Sequence, residues 1–410
     1  LGDVYKRQGI HVDMVVGTSF GALIGSLYGI GLSPDSILSL MSGMDWAASL
    51  TDDIERRHRS PEQRRLDERH LLSLPIENWL PSVPRVLIAG QKNLQALKRM
   101  TWPAAQTHDF SELPTPFYPV VTNFETAETG PLQTGDLANA LLGSIAFPLI
   151  FSPADLDNRT LIDAGTVRNL PAQDARDLGA DFLICSDVTA SLMPIDSLTS
   201  PEAGIQSMTL ESKRLLEEQR ALCDVLIQPA IEDLSFFDFE RGGEWMERGE
   251  EAAKAKLPEL LRELGSARSL AGARKSLPTP DSLFIQDIAF EGMSYLQGRV
   301  LQRTLGLRIP GWVTPYRLDG FLNRVSAAGV FRLISYRIDA VDGPGGTKTV
   351  LTIQGSEPMD GSLKFGARYD SEYQASLLIS AEFNDLLRTG STVFLDWRLG
   401  QQLRLSGLIS

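Results

Sequence analysis

The residues best equipped for chemistry in this chain are one serine and one aspartate far apart in sequence. Gly17-Thr18-Ser19-Phe20-Gly21 fits the pattern G-x-S-x-G, in which a serine hydroxyl attacks an acyl carbonyl once a base removes its proton. The apolar run Val12–Val16 precedes it and a helical pattern starts at Ala22. A strand–turn–helix of this kind places the hydroxyl on a strained bend, and glycines on either side relieve side-chain clashes. It also sets the serine at a helix N-terminus, where the dipole favours developing negative charge. Gly25, one turn further on, lets that helix lie close to the sheet.

The serine needs a base. The four histidines are His11, His58, His70 and His108. All precede the strongest aspartate candidate, so a Ser…Asp…His order does not fit. His58, His70 and His108 are expected at the surface, and His11 would project from the far end of its strand. The better candidate is Asp163 in Leu161-Ile162-Asp163-Ala164-Gly165. Its carboxylate ends a short apolar strand, on the edge where α/β sheets gather ligands. It could take the Ser19 proton directly, giving a dyad in place of a triad. On these residues alone, a structural turn aspartate is the alternative.

The elements around the pair set a frame. Residues 9–190 alternate short β-rich runs (Val12–Val16, Tyr118–Asn123, Thr160–Asp163, Asp181–Asp187) with helical patterns such as Ala22–Tyr28 and Pro171–Leu178. The expectation is a three-layer α/β/α domain over 9–275 with a mostly parallel sheet. Within it, Asp45–Arg99 carries Arg56-Arg57-His58-Arg59 and Arg64-Arg65 among acids and reads as a solvated helical insertion. Residues 191–275 read as surface helices and loops, with a charged helical stretch at Glu250–Arg274.

From Phe284 the pattern becomes β-α-α-β-β, a second domain over 283–356. Its elements are a strand at Phe284–Phe290, helices at Tyr295–Leu305 and Tyr316–Ala328, and strands at Phe331–Ala340 and Thr347–Gln354 around the turn Asp342–Gly346. Residues 362–410 alternate again in Leu363–Tyr369, Ala375–Phe383, Thr392–Leu399 and Gln402–Ile409. Such dyad alternation over nearly barrel-length strands predicts the opening strands of an incomplete β-barrel.

With 410 residues, several domains are expected, and a 43% hydrophobic fraction supports a sizeable core. A net charge of −13 argues against nucleic-acid binding, which needs clustered Lys and Arg. Cys185 and Cys223 are the only cysteines. They make neither a disulfide scaffold nor a metal-ligand spacing, and Cys185 reads as a small buried hydrophobe. No metal or cofactor is expected. No apolar run reaches the length of a transmembrane helix. Leu1 is not an initiating residue and Leu1–Gln8 is polar, so the chain reads as a fragment truncated at both ends.

The two motifs and their neighbours together resemble the patatin-like phospholipase family. Gly17–Gly21 is similar to its G-x-S-x-G elbow and Asp163-Ala164-Gly165 to its D-G-[AG] motif. Gly143-Ser144-Ile145-Ala146-Phe147-Pro148 resembles its A-S-x-x-x-P segment, and Thr166–Pro171 its V-x-N-x-P continuation. The resemblance covers roughly residues 9–230. It implies a catalytic dyad of Ser19 as nucleophile and Asp163 as proton acceptor, acting on phospholipids or other acyl-ester lipids. Ala164 departs from the family glycine, and the family's glycine-rich oxyanion loop would lie upstream of Leu1, so the fragment itself is expected to be weak or inactive. Residues 284–355 resemble a POTRA domain and 362–410 the start of a surface-antigen outer-membrane barrel. That order resembles bacterial patatin-like autotransporters of the type V class and implies a bacterial outer-membrane protein with its lipase domain periplasmic or extracellular. The alternative reading is a non-catalytic secretion or assembly protein with a patatin-like passenger.

Overall fold

The computed structural model describes residues 10–46, 51–52, 70–77, 79–82, 86, 88–234, 241–264, 275–327, 329, 331–343, 346–358, 360–370, 374–384, 392–400 and 403–409. Two compact units emerge: one from Leu1–Leu50 with Met100–Thr279, the other from Thr51–Arg99 with Pro280–Ser410.

In chain order, β1 (Val15–Thr18) leads into α1 (Phe20–Ile30) and α2 (Pro34–Ser42). The excursion that follows holds β2 (Leu72–Glu77), β3 (Leu80–Pro81) and α3 (Gln91–Met100). Next come β4 (Phe117–Asn123), β5 (Thr129–Pro131), α4 (Leu137–Ser144), β6 (Ala154–Leu156), β7 (Arg159–Asp163) and α5 (Ala172–Asp177). β8 (Ile184–Ser186), α6 (Ser200–Met208), α7 (Leu210–Arg220), β9 (Val225–Ile227) and α8 (Gly242–Leu264) complete the first unit. The rest are β10 (Leu283–Ile285), β11 (Asp287–Glu291), α9 (Tyr295–Leu305), β12 (Gly311–Val313), α10 (Pro315–Ala327), β13 (Phe331–Gly343) and β14 (Gly346–Pro358), then β15 (Gly361–Asp370), β16 (Gln374–Asn384), β17 (Thr392–Leu399) and β18 (Arg404–Ile409).

The first unit is a layered α/β structure. Adjacent strand residues face opposite sides of a sheet. A Cβ built on Gly25 of α1 would lie 2.9 Å from Val15 and 2.8 Å from the Phe117 ring, so α1 lies tight on one face. Val16 instead packs on the cluster of Leu170, Ala172, Ala175, Leu183, Cys185 and Leu216, which is the layer on the other face. All eight residues of α4 are buried, the polar Asn139 and Ser144 included.

The main sheet runs β1-β4-β7-β6, with β5 on β4. It is mixed, against the expectation of a mostly parallel sheet. β1 and β4 are parallel, but β4–β7 and β6–β7 are antiparallel. The reason is local: Asp157 and Asn158 both take positive φ, 50° and 59°, forming a two-residue hairpin that reverses the chain into β7. The expected strand Asp181–Asp187 is shorter and pairs with β9 in a separate parallel pair.

Cys185 in β8 and Cys223 before β9 form a disulfide, correcting the reading of Cys185 as an unbonded hydrophobe. The helical stretch foreseen at Glu250–Arg274 is α8, starting earlier at Gly242; residues 265–274 lie outside the described set.

The expected insertion Asp45–Arg99 is corrected as well, because Thr51–Arg99 packs within the second unit. The clusters Arg56–Arg59 and Arg64-Arg65 lie outside the described residues. Beyond them the alternation Leu72-Ser73-Leu74-Pro75-Ile76 forms β2, antiparallel to β15. α3 buries Leu94 and Leu97. The Gln91 amide both donates to and accepts from the backbone of Ile334 in β13, at 3.0 and 2.9 Å. Arg99 pairs with Asp319 of α10 at 2.7 Å.

The β-α-α-β-β order foreseen after residue 283 is present, with β11 parallel to β14 and β13–β14 a long hairpin. A short extra strand, β12, pairs with β10. The last four strands with β2 and β3 form one six-stranded antiparallel sheet, whose faces are inverted relative to a soluble protein. Directly paired residues share a face. One face reads Phe365, Ile379, Trp397 and Leu405 across the sheet, then Leu363, Ala381, Leu395 and Gly407. The other reads Lys364, Ser380, Asp396 and Ser406. On β16, Ser380 at 3% and Glu382 at 7% exposed share the enclosed face with the apolar Leu378 and with Phe394 of β17, while Leu377 on the other face is 46% exposed. A water-facing sheet would bury the apolar set; apolar-out, polar-in is how strands of a membrane barrel are built. Among the described residues, no helix is long and apolar enough to cross a membrane.

Candidate active site

β4 brings the two motif residues together. Its consecutive residues Val120 and Val121 pair with Thr18 on one side and Asp163 on the other. Residues 145 positions apart in register terms thus meet at one end of the sheet. The Ser19 side chain lies close enough to Asp163 to favour its ionised form, and Asp163 Oδ1 accepts the Gly165 N–H at 2.7 Å. Asp163 is only 3% exposed. Burial pushes its carboxyl up from 3.8 to about 6, while the nearby Ser19 side chain and the Gly165 N–H pull the other way. Such a carboxylate is ionised at neutral pH yet basic enough to take a proton.

Ser19 has φ 54° and ψ −122°, the strained backbone of a nucleophile elbow, worth about 1–3 kcal/mol for a residue with a Cβ. Its carbonyl accepts the first N–H groups of α1, from Ala22 at 2.9 Å and Leu23 at 3.1 Å. The two flanking glycines differ in what they do. A Cβ on Gly17 would sit 2.6 Å from the Gly21 backbone, so glycine is required there. A Cβ on Gly21 meets no described atom within 4 Å, so the clash relief expected at both glycines operates at Gly17 alone.

Thr18 Oγ1 donates to the Arg168 carbonyl at 3.2 Å, tying the elbow to the turn after Asp163. Phe20 is half exposed beside Trp46, ring centroids 5.7 Å apart. Ala164 is fully buried and opens a 3₁₀ turn without positive φ, so the extra methyl at this position is accommodated. Gly165 is more constrained, because a Cβ there would lie 3.0 Å from Asp163 Oδ1.

The histidines lie elsewhere. His11 hydrogen-bonds Asp13 at 3.1 Å, and His70 reaches Ser380 in the second unit at 2.9 Å. His58 is outside the described residues. Among the described residues, no group of three or more His, Cys, Asp or Glu side chains could hold a metal ion.

Two contributors escaped the reading of single residues. Ser144 Oγ accepts the Ser19 N–H at 3.0 Å. Asn169 joins the turn after Asp163 to Thr189 at 2.8 Å and, through its own N–H, to Ser212 at 3.0 Å. Both stood inside quoted segments, but only folding reveals their partners.

Comparison with known proteins agrees with the motifs. The patatin-like phospholipase family model matches residues 1–176. An uncharacterized NTE family protein of Mycobacterium tuberculosis is 26% identical over 187 residues, 45% of this chain and 43% of its own length. Patatin-like phospholipase domain-containing protein 6 of Homo sapiens is 26% identical over 185 residues, 45% of this chain and 12% of its own. The chain thus spans less than half the length of these curated relatives. Among solved structures, BamA of Haemophilus ducreyi lacking POTRA domains 1–3 is similar over 33% of this chain and 25% of its own, with TM-score 0.26 and 19% identity. CdiB of Acinetobacter baumannii is similar over 54% and 40%, with TM-score 0.24 and 12% identity. The family match falls on residues 1–176, the span that holds both the Gly17–Gly21 elbow and Asp163.

Proposed function

We propose that the protein is a serine hydrolase of lipid acyl esters, working through Ser19 and Asp163 in a bacterial outer-membrane protein. The observation that carries this reading is a strained Ser19 brought beside a buried Asp163 by their shared neighbour β4. The Asp163 carboxylate takes the hydroxyl proton as Ser19 Oγ bonds to the ester carbonyl carbon. The tetrahedral adduct collapses, the alcohol leaves with the proton from Asp163, and an acyl-Ser19 remains. Water then attacks that acyl group, gives its proton to Asp163, and the fatty acid departs as Ser19 is re-protonated.

The outer-membrane setting is supported by the inverted sheet β15–β18, with its apolar face outward. The Cys185–Cys223 disulfide fits an oxidising compartment such as the periplasm or the cell surface. The unit β11–β14 with its two helices serves in this reading as the POTRA-like link before the barrel.

The test is release of fatty acid from phospholipid vesicles and from a p-nitrophenyl ester by the full-length protein. Ser19→Ala and Asp163→Asn are each expected to lower kcat by at least ~10³. Ester hydrolysis that survives Ser19→Ala would sink the reading and leave the non-catalytic passenger.

A further inference from the structure

One short segment grips the main chain of both proposed reacting residues. Ser144 ends α4 and is fully buried. Its Oγ accepts the Ser19 N–H at 3.0 Å and donates to the Val120 carbonyl at 2.8 Å. Two residues later, the Ala146 carbonyl accepts the Asp163 N–H at 3.0 Å. A serine hydroxyl has a single proton. With that proton on Val120, an oxygen lone pair is left to face the Ser19 amide, so the direction of both bonds is fixed. Val120 is the β4 partner of Thr18. The hydroxyl therefore spans from the neighbouring strand to the elbow itself.

We propose that Ser144 is a positioning residue that holds the main chain of Ser19 at the angle from which its Oγ reaches the Asp163 carboxylate. The inference rests on the roles given to Ser19 and Asp163 above. Ser19 occupies a backbone region that costs a residue with a Cβ free energy, and it stays there only while its surroundings restrain it. Without the Ser144 hydroxyl the elbow relaxes, and the Ser19 side chain moves away from Asp163. Burial then acts on Asp163 with less opposition, because the Ser19 side chain lowers its affinity for a proton more than the Gly165 N–H does.

The experiment uses the full-length protein, with pH profiles of kcat/KM on a p-nitrophenyl ester for the wild type, Ser144→Ala and Ser144→Cys. Cysteine keeps the side-chain volume but makes weak hydrogen bonds, so it guards against an alanine variant that fails to fold. Both variants are expected to lose about tenfold in kcat, the equivalent of one hydrogen bond, with KM little changed. In both, the acidic limb of the profile moves to higher pH. A limb that stays at the wild-type position overturns the proposal whatever the rate, because a residue that only fills space would not move it. The Ser19→Ala control separates the two readings. Activity surviving in that variant removes the hydrolase reading itself, whereas its loss beside an unmoved limb removes only the role of Ser144.

Discussion

Burial raises the proton affinity of Asp163, and it does so at a cost to the folded state. Ionising a buried carboxyl whose affinity has risen from 3.8 to about 6 destabilises the folded state by ~3 kcal/mol at alkaline pH. The extra proton affinity supports the fold fully below pH 4, and that support is lost as pH rises through about 6. Asp163→Asn, which never ionises, should match the wild type in urea unfolding at pH 4 and exceed it at pH 8. Equal stabilities at both pH values would mean that Asp163 is not desolvated. Activity should run the opposite way, with the wild-type rate rising through about pH 6 as the carboxylate forms. Ser19 and Asp163 were both legible in the sequence, because glycines and a strand end mark positions where backbone geometry constrains residue type. Ser144 was not, since nothing in Gly143–Pro148 says which amide its hydroxyl will meet.

At the scale of elements, the elbow is held by close approach on one side only. Gly17→Ala should cost about 3 kcal/mol or more and abolish activity, because backbone lies where the methyl would go. Gly21→Ala meets no described atom within 4 Å and should be close to neutral in thermal melts. Equal damage from both would show that the motif is read wrongly here. The disulfide closes a loop of 38 residues between β8 and β9. A bond over that span contributes about 3–4 kcal/mol in the chain-entropy model. Cys185→Ser with Cys223→Ser should therefore melt several degrees lower, and unchanged melting on reduction would contradict the bond. Helix α1 and strands β1, β4 and β7 were anticipated within a few residues. The mixed sense of the sheet was not, because a two-residue hairpin at Asp157-Asn158 reverses β7 where pattern alone suggested a crossover.

For the whole molecule, the consequential finding is that Thr51–Arg99 belongs with the second unit. Once a protease site is placed at Pro278–Asp281, in an irregular stretch, the piece ending there still contains α3. Its contacts with Ile334, Asn323 and Asp319 should keep the two pieces together on a sizing column after cleavage. Gln91→Ala with Arg99→Ala should loosen them, and separation without those substitutions would disprove the packing. In bilayers, Ile379→Arg places a charge on the apolar face and should cost about 2–4 kcal/mol, whereas Ser406→Arg on the polar face should cost little. Equal costs would argue for a sheet that lies in water.

The sequence by itself determined the elbow motif, the Asp163 turn and the order of the parts. Local backbone demands fixed the elbow, the Asp163 turn and the alternation of the last strands, and each leaves a mark on neighbouring residues. Tertiary structure decided what no local rule encodes: the Ser19–Asp163 contact across β4, the Cys185–Cys223 bond, the hydroxyl of Ser144 under the elbow, and the transfer of Thr51–Arg99 to the second unit. Each of these joins residues distant in sequence, and their pairing depends on which surfaces the folded chain buries together.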